Sequence, residues 1–215
     1  MTTNIPTRAI VLCAGLGTRL GSLTERTPKP LIKVAGVLVI RMILHLLISH
    51  GVHQFCINLH HLPLQIMDEV NKTGDGVFYS PEPELMGTAG AFKKVSNWLT
   101  DPFVVMNGDT ITNVDLTNMV KFHKMGESIA TVYTKDDLIH SGGVYVFSKE
   151  VLKYIPERKP YSIHLDLIPK LIKKKETVSE YQDFNSHYFD IGTPHGLRKA
   201  RKYFKDEESC SMPIV

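Results

Sequence analysis

Two glycines, Gly15 and Gly17, and two cations, Arg19 and Lys29, fall within one short stretch of this chain. Residues 12–31 read Leu-Cys-Ala-Gly-Leu-Gly-Thr-Arg-Leu-Gly-Ser-Leu-Thr-Glu-Arg-Thr-Pro-Lys-Pro-Leu. The stretch follows an apolar run, Ala9-Ile10-Val11-Leu12, that has the character of a buried first strand. Glycine adopts positive φ at low cost, so backbone N–H groups at Gly15 and Gly17 are expected to converge on an anion. A strand, a glycine turn and two fixed cations point to a polyphosphate site, with a nucleoside triphosphate as the fitting ligand. A Walker A loop needs Gly-Lys-Ser/Thr, and no such string follows. The dinucleotide fingerprint also fits poorly. Gly15, Gly17 and Gly21 are spaced one position too far, and Arg41 stands where an acidic residue is wanted about 20 positions on.

One carboxylate could complete such a site. Asn107-Gly108-Asp109 puts a carboxylate just past the apolar run Phe103-Val104-Val105-Met106, although the same triplet is also a common Asx-turn signal. Taken alone, Asp190 in Phe189-Asp190-Ile191-Gly192-Thr193-Pro194 reads as a turn aspartate ahead of a proline-started helix. Mg2+ favours one or two carboxylates, with waters and phosphate oxygens completing its shell. Gly87-Thr88-Ala89-Gly90-Ala91 reads as a helix start made of small residues, open either to a flat ring or to tight packing. His60 and His61 are adjacent, which on a strand sends them to opposite faces, and they read as structural. No Ser/His/Asp or Cys/His set suggests itself.

These motifs resemble those of the sugar-1-phosphate nucleotidylyltransferases. That family carries Gly-x-Gly-Thr-Arg-Leu, then Leu-Thr and Pro-Lys-Pro-Leu; here they are residues 15–20, Leu23-Thr24 and residues 28–31, with Ser22 at a position usually held by proline. The likeness runs from residue 9 to 204. It implies that Leu12, Ala14, Gly15, Gly17, Thr18, Arg19, Gly87, Thr88 and Asn107 contact the nucleotide, and that Asp109 and Asp190 bind Mg2+. It further implies that Lys29, Lys135 and Gly143 meet the sugar phosphate, with Arg19, Lys29 and Asp109 as the catalytic group. Segment 87–91 is most similar to mannose-1-phosphate guanylyltransferases, which implies GTP as donor. The expected partners are that nucleotide and a hexose or heptose 1-phosphate. A uridylyl or other-base enzyme, and a catalytically silent nucleotide-sugar-binding regulatory protein, are the alternative readings. Against the family pattern, the stretch between Tyr133 and Gly143 is short and lacks the Glu-Lys-Pro and Asn-Ala-Gly motifs, so a more open sugar pocket is expected.

The elements that must hold these residues alternate. Strands are expected at 9–12, 55–59, 77–79, 103–106, 129–133, 144–147 and 188–190. Helices are expected at 37–49, 62–71, 87–99, 162–174 and 194–204, with a further helix capped at Asp115 or a neighbour and running to Lys124. Such alternation predicts an α/β fold, a mostly parallel central sheet flanked by helices in a Rossmann-like manner, with ligands beyond the carboxyl ends of the strands. The 215 residues suit one domain, 1–205, with a frayed tail at 206–215.

Composition excludes other classes. The 43% hydrophobic and 22% charged content is that of an ordinary globular chain, and the net charge of +3 is too small and too scattered for a nucleic-acid surface. Cys13, Cys56 and Cys210 are odd in number and lack metal spacing, as suits reduced thiols. No apolar run is long enough to span a membrane, and the first residues lack a leader pattern, so a cytoplasmic protein is expected. A homo-oligomer is left open.

Overall fold

The computed structural model describes residues 8–74, 76–135 and 141–206. In chain order the strands and helices are β1 (Ala9–Leu12), β2 (Lys33–Val34), β3 (Val37–Leu38), α1 (Val39–Ser49), β4 (Phe55–Leu59), α2 (Pro63–Val70), β5 (Val77–Pro81), α3 (Gly87–Lys94) and β6 (Phe103–Asn107). There follow β7 (Thr110–Thr112), α4 (Leu116–Met125), β8 (Ala130–Thr134), β9 (Ser141–Phe147), α5 (Ile168–Lys173), β10 (Val178–Gln182), β11 (Tyr188–Asp190) and α6 (Pro194–Asp206).

Seven strands hydrogen-bond in the order β10-β8-β9-β6-β1-β4-β5. All pair in parallel except β9, which runs against β6 and β8. The central strands are short apolar runs because both of their faces are covered. Ala9, Val11, Ile57, Val104 and Met106 pack toward α1, α2, α4 and α6. Ile10, Cys56, Phe103 and Val105 pack toward α3 and α5. On that second face Phe92, Phe103 and Phe147 form a triangle with centroid separations of 5.3–5.7 Å, within the range of favourable ring pairing. The expected α/β fold with a mostly parallel sheet flanked by helices is the one observed.

Several boundaries differ from the sequence expectation. The apolar stretch 37–49 is not one helix: Val37–Leu38 pairs with Lys33–Val34 in a hairpin, and the helix begins at Val39. The connecting Ala35 and Gly36 both have positive φ, the signature of a two-residue turn that matches strand twist. The expected helix 162–174 opens instead as a π-turn, Ile163–Leu167, before α5. Pro169 lacks an N–H and crowds the carbonyl four residues back, so a regular helix cannot run through it. The helix expected at 87–99 ends at Lys94. Asp115 does cap α4, accepting from Asn118 N at 2.9 Å. Strands β7 and β10 went unpredicted; the first is three residues long, and the second is a polar edge strand without alternation.

His123 on α4 is buried and held by the hydroxyls of Thr131 (2.9 Å) and Ser148 (3.0 Å). Burial pushes its imidazole down to about 4 from 6.5, outweighing the opposing charge of Asp101. A depressed histidine means that the unfolded chain takes up a proton the folded chain refuses. Stability is therefore full above pH 6.5 and declines as pH falls toward 4, by up to about 3 kcal/mol from this one group. Urea unfolding of wild type and His123→Gln across that window checks this: the variant is expected to show the shallower pH slope, and equal slopes would assign the proton uptake elsewhere.

Candidate active site

The glycine loop leaves the carboxyl end of β1, and the Asn107-Gly108-Asp109 turn leaves the carboxyl end of the adjacent β6. The two are tied by a hydrogen bond from Gly108 N to Leu12 O, 2.9 Å. A side chain at position 108 would sit 2.6 Å from Leu12 O and 2.8 Å from Cys13 Sγ, so the close approach of the two loops requires glycine there. Strand β7 then returns to pair with β11, placing Asp190 opposite Thr110, while Ile191 N donates to Asp109 O at 3.0 Å.

That pairing brings four of the expected residues together. A Cβ built on Gly192 would lie 2.8 Å from Asp190 Oδ1, 2.9 Å from Asp109 Oδ2 and 2.9 Å from Arg19 Nη2. Two carboxylates 81 residues apart in the chain and one guanidinium thus surround a single point. Lys29 completes the group, its ammonium 2.5 Å from Asp109 Oδ2 with both side chains largely buried. Asp190 also accepts from Gly192 N at 2.6 Å. Burial, then the charge of Asp109, raise the Asp190 carboxyl above its ordinary range, against the pull of that N–H, Arg19 and Lys29. The paired carboxylate oxygens, with Lys29 and Arg19 beside them, are hard donors of the kind a small cation such as Mg2+ takes.

A cleft of about 290 Å3 opens beside this group. Leu12, Ala14, Gly15, Lys29, Gly87, Thr88, Asn107 and Asp109, all among the expected site residues, line it. Gly17, Thr18, Arg19, Lys135, Gly143 and Asp190 are not among its lining residues. Gly17 is the loop glycine that uses positive φ (+74°); Gly15 does not, and it is instead overlain by the Lys29 side chain, 3.7 Å from where a Cβ would stand. The loop is fastened by Thr24, whose hydroxyl donates to Gly17 O (2.9 Å), and by His61, whose Nε2 meets Thr24 O (2.8 Å). His60 is bound to Glu82 O at 2.7 Å, so both histidines are structural. Among the described residues no group of three His, Cys, Asp or Glu could hold a metal.

Two groups of expected residues have partners within the fold. The small residues of 87–91 admit a neighbouring backbone: Tyr161 O accepts from Ala89 N and Gly90 N, and a Cβ on Gly87 would meet it at 2.6 Å. Thr88 Oγ1 likewise accepts from Ile163 N (2.7 Å). Two of the first four N–H groups of α3, those of Ala89 and Gly90, are thereby satisfied inside the protein. Lys135 does not face the cleft; its ammonium donates to Ser186 O (2.5 Å) and Asp183 O (3.4 Å) and so steadies the connection leading to β11. Gly143 abuts Asn107 and Thr110, and residues 136–140 of the short segment lie outside the described residues.

Cys13, Pro30, Asn58, Glu82, Leu85 and Gly108 also line the cleft and were not singled out by sequence. Cys13 is no nucleophile at neutral pH, because burial, then the charge of Asp109, hold its thiol far above the usual range. Asn58 and Glu82 gave no local signal, since each sits at the end of an ordinary strand.

The family's sequence pattern, described as nucleotidyl transferase, matches residues 8–140. The chain belongs to this family. A UTP–glucose-1-phosphate uridylyltransferase from Synechocystis is 31% identical over 213 residues, 77% of this chain and 55% of that protein. The chain therefore spans little more than half the length of that relative. A D-glycero-alpha-D-manno-heptose 1-phosphate guanylyltransferase from Aneurinibacillus thermoaerophilus is 29% identical, over 90% of this chain and 96% of its own length. The crystal structure of HddC from Yersinia pseudotuberculosis complexed with GMP-PN shares the fold, with TM-score 0.77, 24% identity and coverage of 92% of this chain and 99% of that one. Among the described residues of this nucleotidyl transferase family member, no helix is long and apolar enough to cross a membrane.

The two site glycines are expected to respond differently to a methyl group. Gly108→Ala forces backbone against backbone and should cost about 1–3 kcal/mol of stability. Gly192→Ala meets only movable side-chain ends and should cost less than about 1 kcal/mol. Denaturant unfolding of both variants checks this, and the reverse order would contradict the packing described.

Proposed function

We propose that this protein transfers a nucleotidyl group from a nucleoside triphosphate to a sugar 1-phosphate. A phosphate oxygen of the sugar attacks the α-phosphorus, the new P–O bond forms, and pyrophosphate departs with the electrons of the broken bond. The observation that carries this reading is the meeting of Arg19, Lys29, Asp109 and Asp190 around Gly192, beside a cleft walled by the glycine loop and α3. Displacement at phosphorus needs little covalent help, so positioning and charge neutralisation dominate.

In this reading Asp109 and Asp190 hold Mg2+, which offsets the charge of the triphosphate. Arg19, exposed at the mouth of the site, meets the departing pyrophosphate through its guanidinium fork. Lys29 turns from Asp109 toward the reacting phosphates. Backbone around Ala14 and Gly15 cradles the triphosphate, and the base lies toward Gly87 and Thr88. GTP is the proposed donor, supported by the likeness of 87–91 to guanylyltransferase segments and by the heptose-1-phosphate guanylyltransferase that matches along 90% of this chain. Mannose 1-phosphate or a related hexose or heptose 1-phosphate is the proposed acceptor. The matched uridylyltransferase favours UTP as the second reading. A cytoplasmic setting is part of the same reading.

Pyrophosphate release with each of four NTPs against a panel of sugar 1-phosphates tests the assignment. Turnover is expected to be greatest with GTP, and a win for UTP or CTP at equal concentration overturns the choice of base. Asp109→Asn and Asp190→Asn are each expected to leave less than about a tenth of wild-type kcat, a loss above roughly 1.4 kcal/mol, with the fold intact by circular dichroism. Retention of more than that by either variant would sink the metal role. Arg19→Lys should recover little of the activity lost in Arg19→Ala, because a point charge cannot reproduce the fork; full recovery would remove the bidentate contact.

A further inference from the structure

Three hydrogen bonds, two of them fully buried and the third partly so, join the two walls of the cleft. Cys13 N, at the root of the glycine loop, donates to Asn58 Oδ1 at 2.7 Å. Asn58 Nδ2 donates to Glu82 Oε1 at 2.9 Å. Met86 N, immediately before α3, donates to Glu82 Oε2 at 3.0 Å. Asn58 is 4% and Glu82 3% exposed, yet both reach the lining of the cleft. A carboxylate is costly to bury, and a leucine would fill a wall more cheaply. Here both carboxylate oxygens are matched by fixed donors, and the Asn58 amide is oriented by a backbone N–H that can only donate.

We propose that Asn58 and Glu82 are positioning residues: a polar strut that sets the span between the triphosphate-side loop and the base-side helix start, and so the affinity for the nucleotide. The inference rests on the nucleotidyl-transfer reading for the identity of the ligand. Neither residue is assigned contact with reacting atoms. The geometry dictates the polarity at each joint. The first residue must accept from Cys13 N and the second must accept from Met86 N, with one donor between them. Asparagine followed by a carboxylate satisfies this. So does the exchanged pair, because an aspartate at 58 accepts from Cys13 N and from a glutamine amide at 82, whose carbonyl oxygen accepts from Met86 N. Either single exchange fails. Asn58→Asp sets two carboxylates together with no donor between them, and Glu82→Gln must either turn an N–H toward Met86 N or break the joint to Asn58.

The test is a cycle of Asn58→Asp, Glu82→Gln and the double variant, with KM for GTP and for the sugar 1-phosphate, kcat, and thermal midpoints. Each single variant is expected to raise KM for GTP by about tenfold or more, with KM for the sugar phosphate changed less than about twofold. The double variant, with the same net charge as wild type, is expected to return KM for GTP to within about threefold of the wild-type value. If a single variant does not fold, recovery of both folding and GTP affinity in the double variant still supports the strut. A double variant no better than the singles overturns it, as does an unchanged KM for GTP in both singles. Should no sugar 1-phosphate support turnover, the transfer reading fails on that result alone. The strut is then judged by GTP dissociation constants from calorimetry on the same four proteins, and a wild type that binds no NTP overturns it as well.

Discussion

The hydrogen bond from Gly108 N to Leu12 O is the constraint on which the site depends. It exists because β1 and β6 are parallel neighbours that end together, and because position 108 carries no side chain to hold the two exits apart. Once those exits touch, the glycine loop, Lys29 and Asp109 share one corner of the molecule. The turn at 108–109 then launches β7, which is short but pairs with β11 and carries Asp190 back to the same corner. A parallel sheet supplies this arrangement at its carboxyl edge because each crossover returns the chain to the opposite edge, leaving the exits free for loops.

Charge follows from that convergence. Two carboxylates are drawn together and partly out of water, and Asp190 is raised first by burial and then by the charge of Asp109. The protein answers with two cations of different character. Lys29 is a compact ammonium buried against Asp109, and Arg19 is a planar fork at the exposed side of the group. The polar interior nearby is more closely matched. Asn58 and Glu82 have every required partner within the fold, so the cleft wall is polar without being loose.

Much of this was legible in the chain. The first, second and central strands could be read because buried parallel strands are unbroken apolar runs, and the glycine loop because glycines and cations follow such a run at fixed spacing. Asp109 and Asp190 stood out only through their likeness to the family's motifs, since each alone reads as a turn residue. Other features were not legible. The hairpin at 33–38 is as apolar as the helix that follows it, so periodicity could not separate them. Strand β10 lies on an edge, where one row of backbone groups goes unpaired and polar side chains are tolerated. The small residues of 87–91 read equally well as a platform for a ring or as space for another backbone, and only the course of residues 159–163 shows that Tyr161 fills it.

The sequence by itself determined the class of fold and the group of glycines and cations on which the proposed chemistry rests, because both are local patterns: apolar runs, glycine spacing, and charges beside them. Only the tertiary structure decided which charges meet. The approach of Asp190 to Asp109, the diversion of Lys135 to the carbonyls of Asp183 and Ser186, and the link from Cys13 through Asn58 and Glu82 to Met86 all join residues far apart in the chain. Such contacts depend on strand order and on the span of each crossover, which side-chain pattern along one segment does not encode.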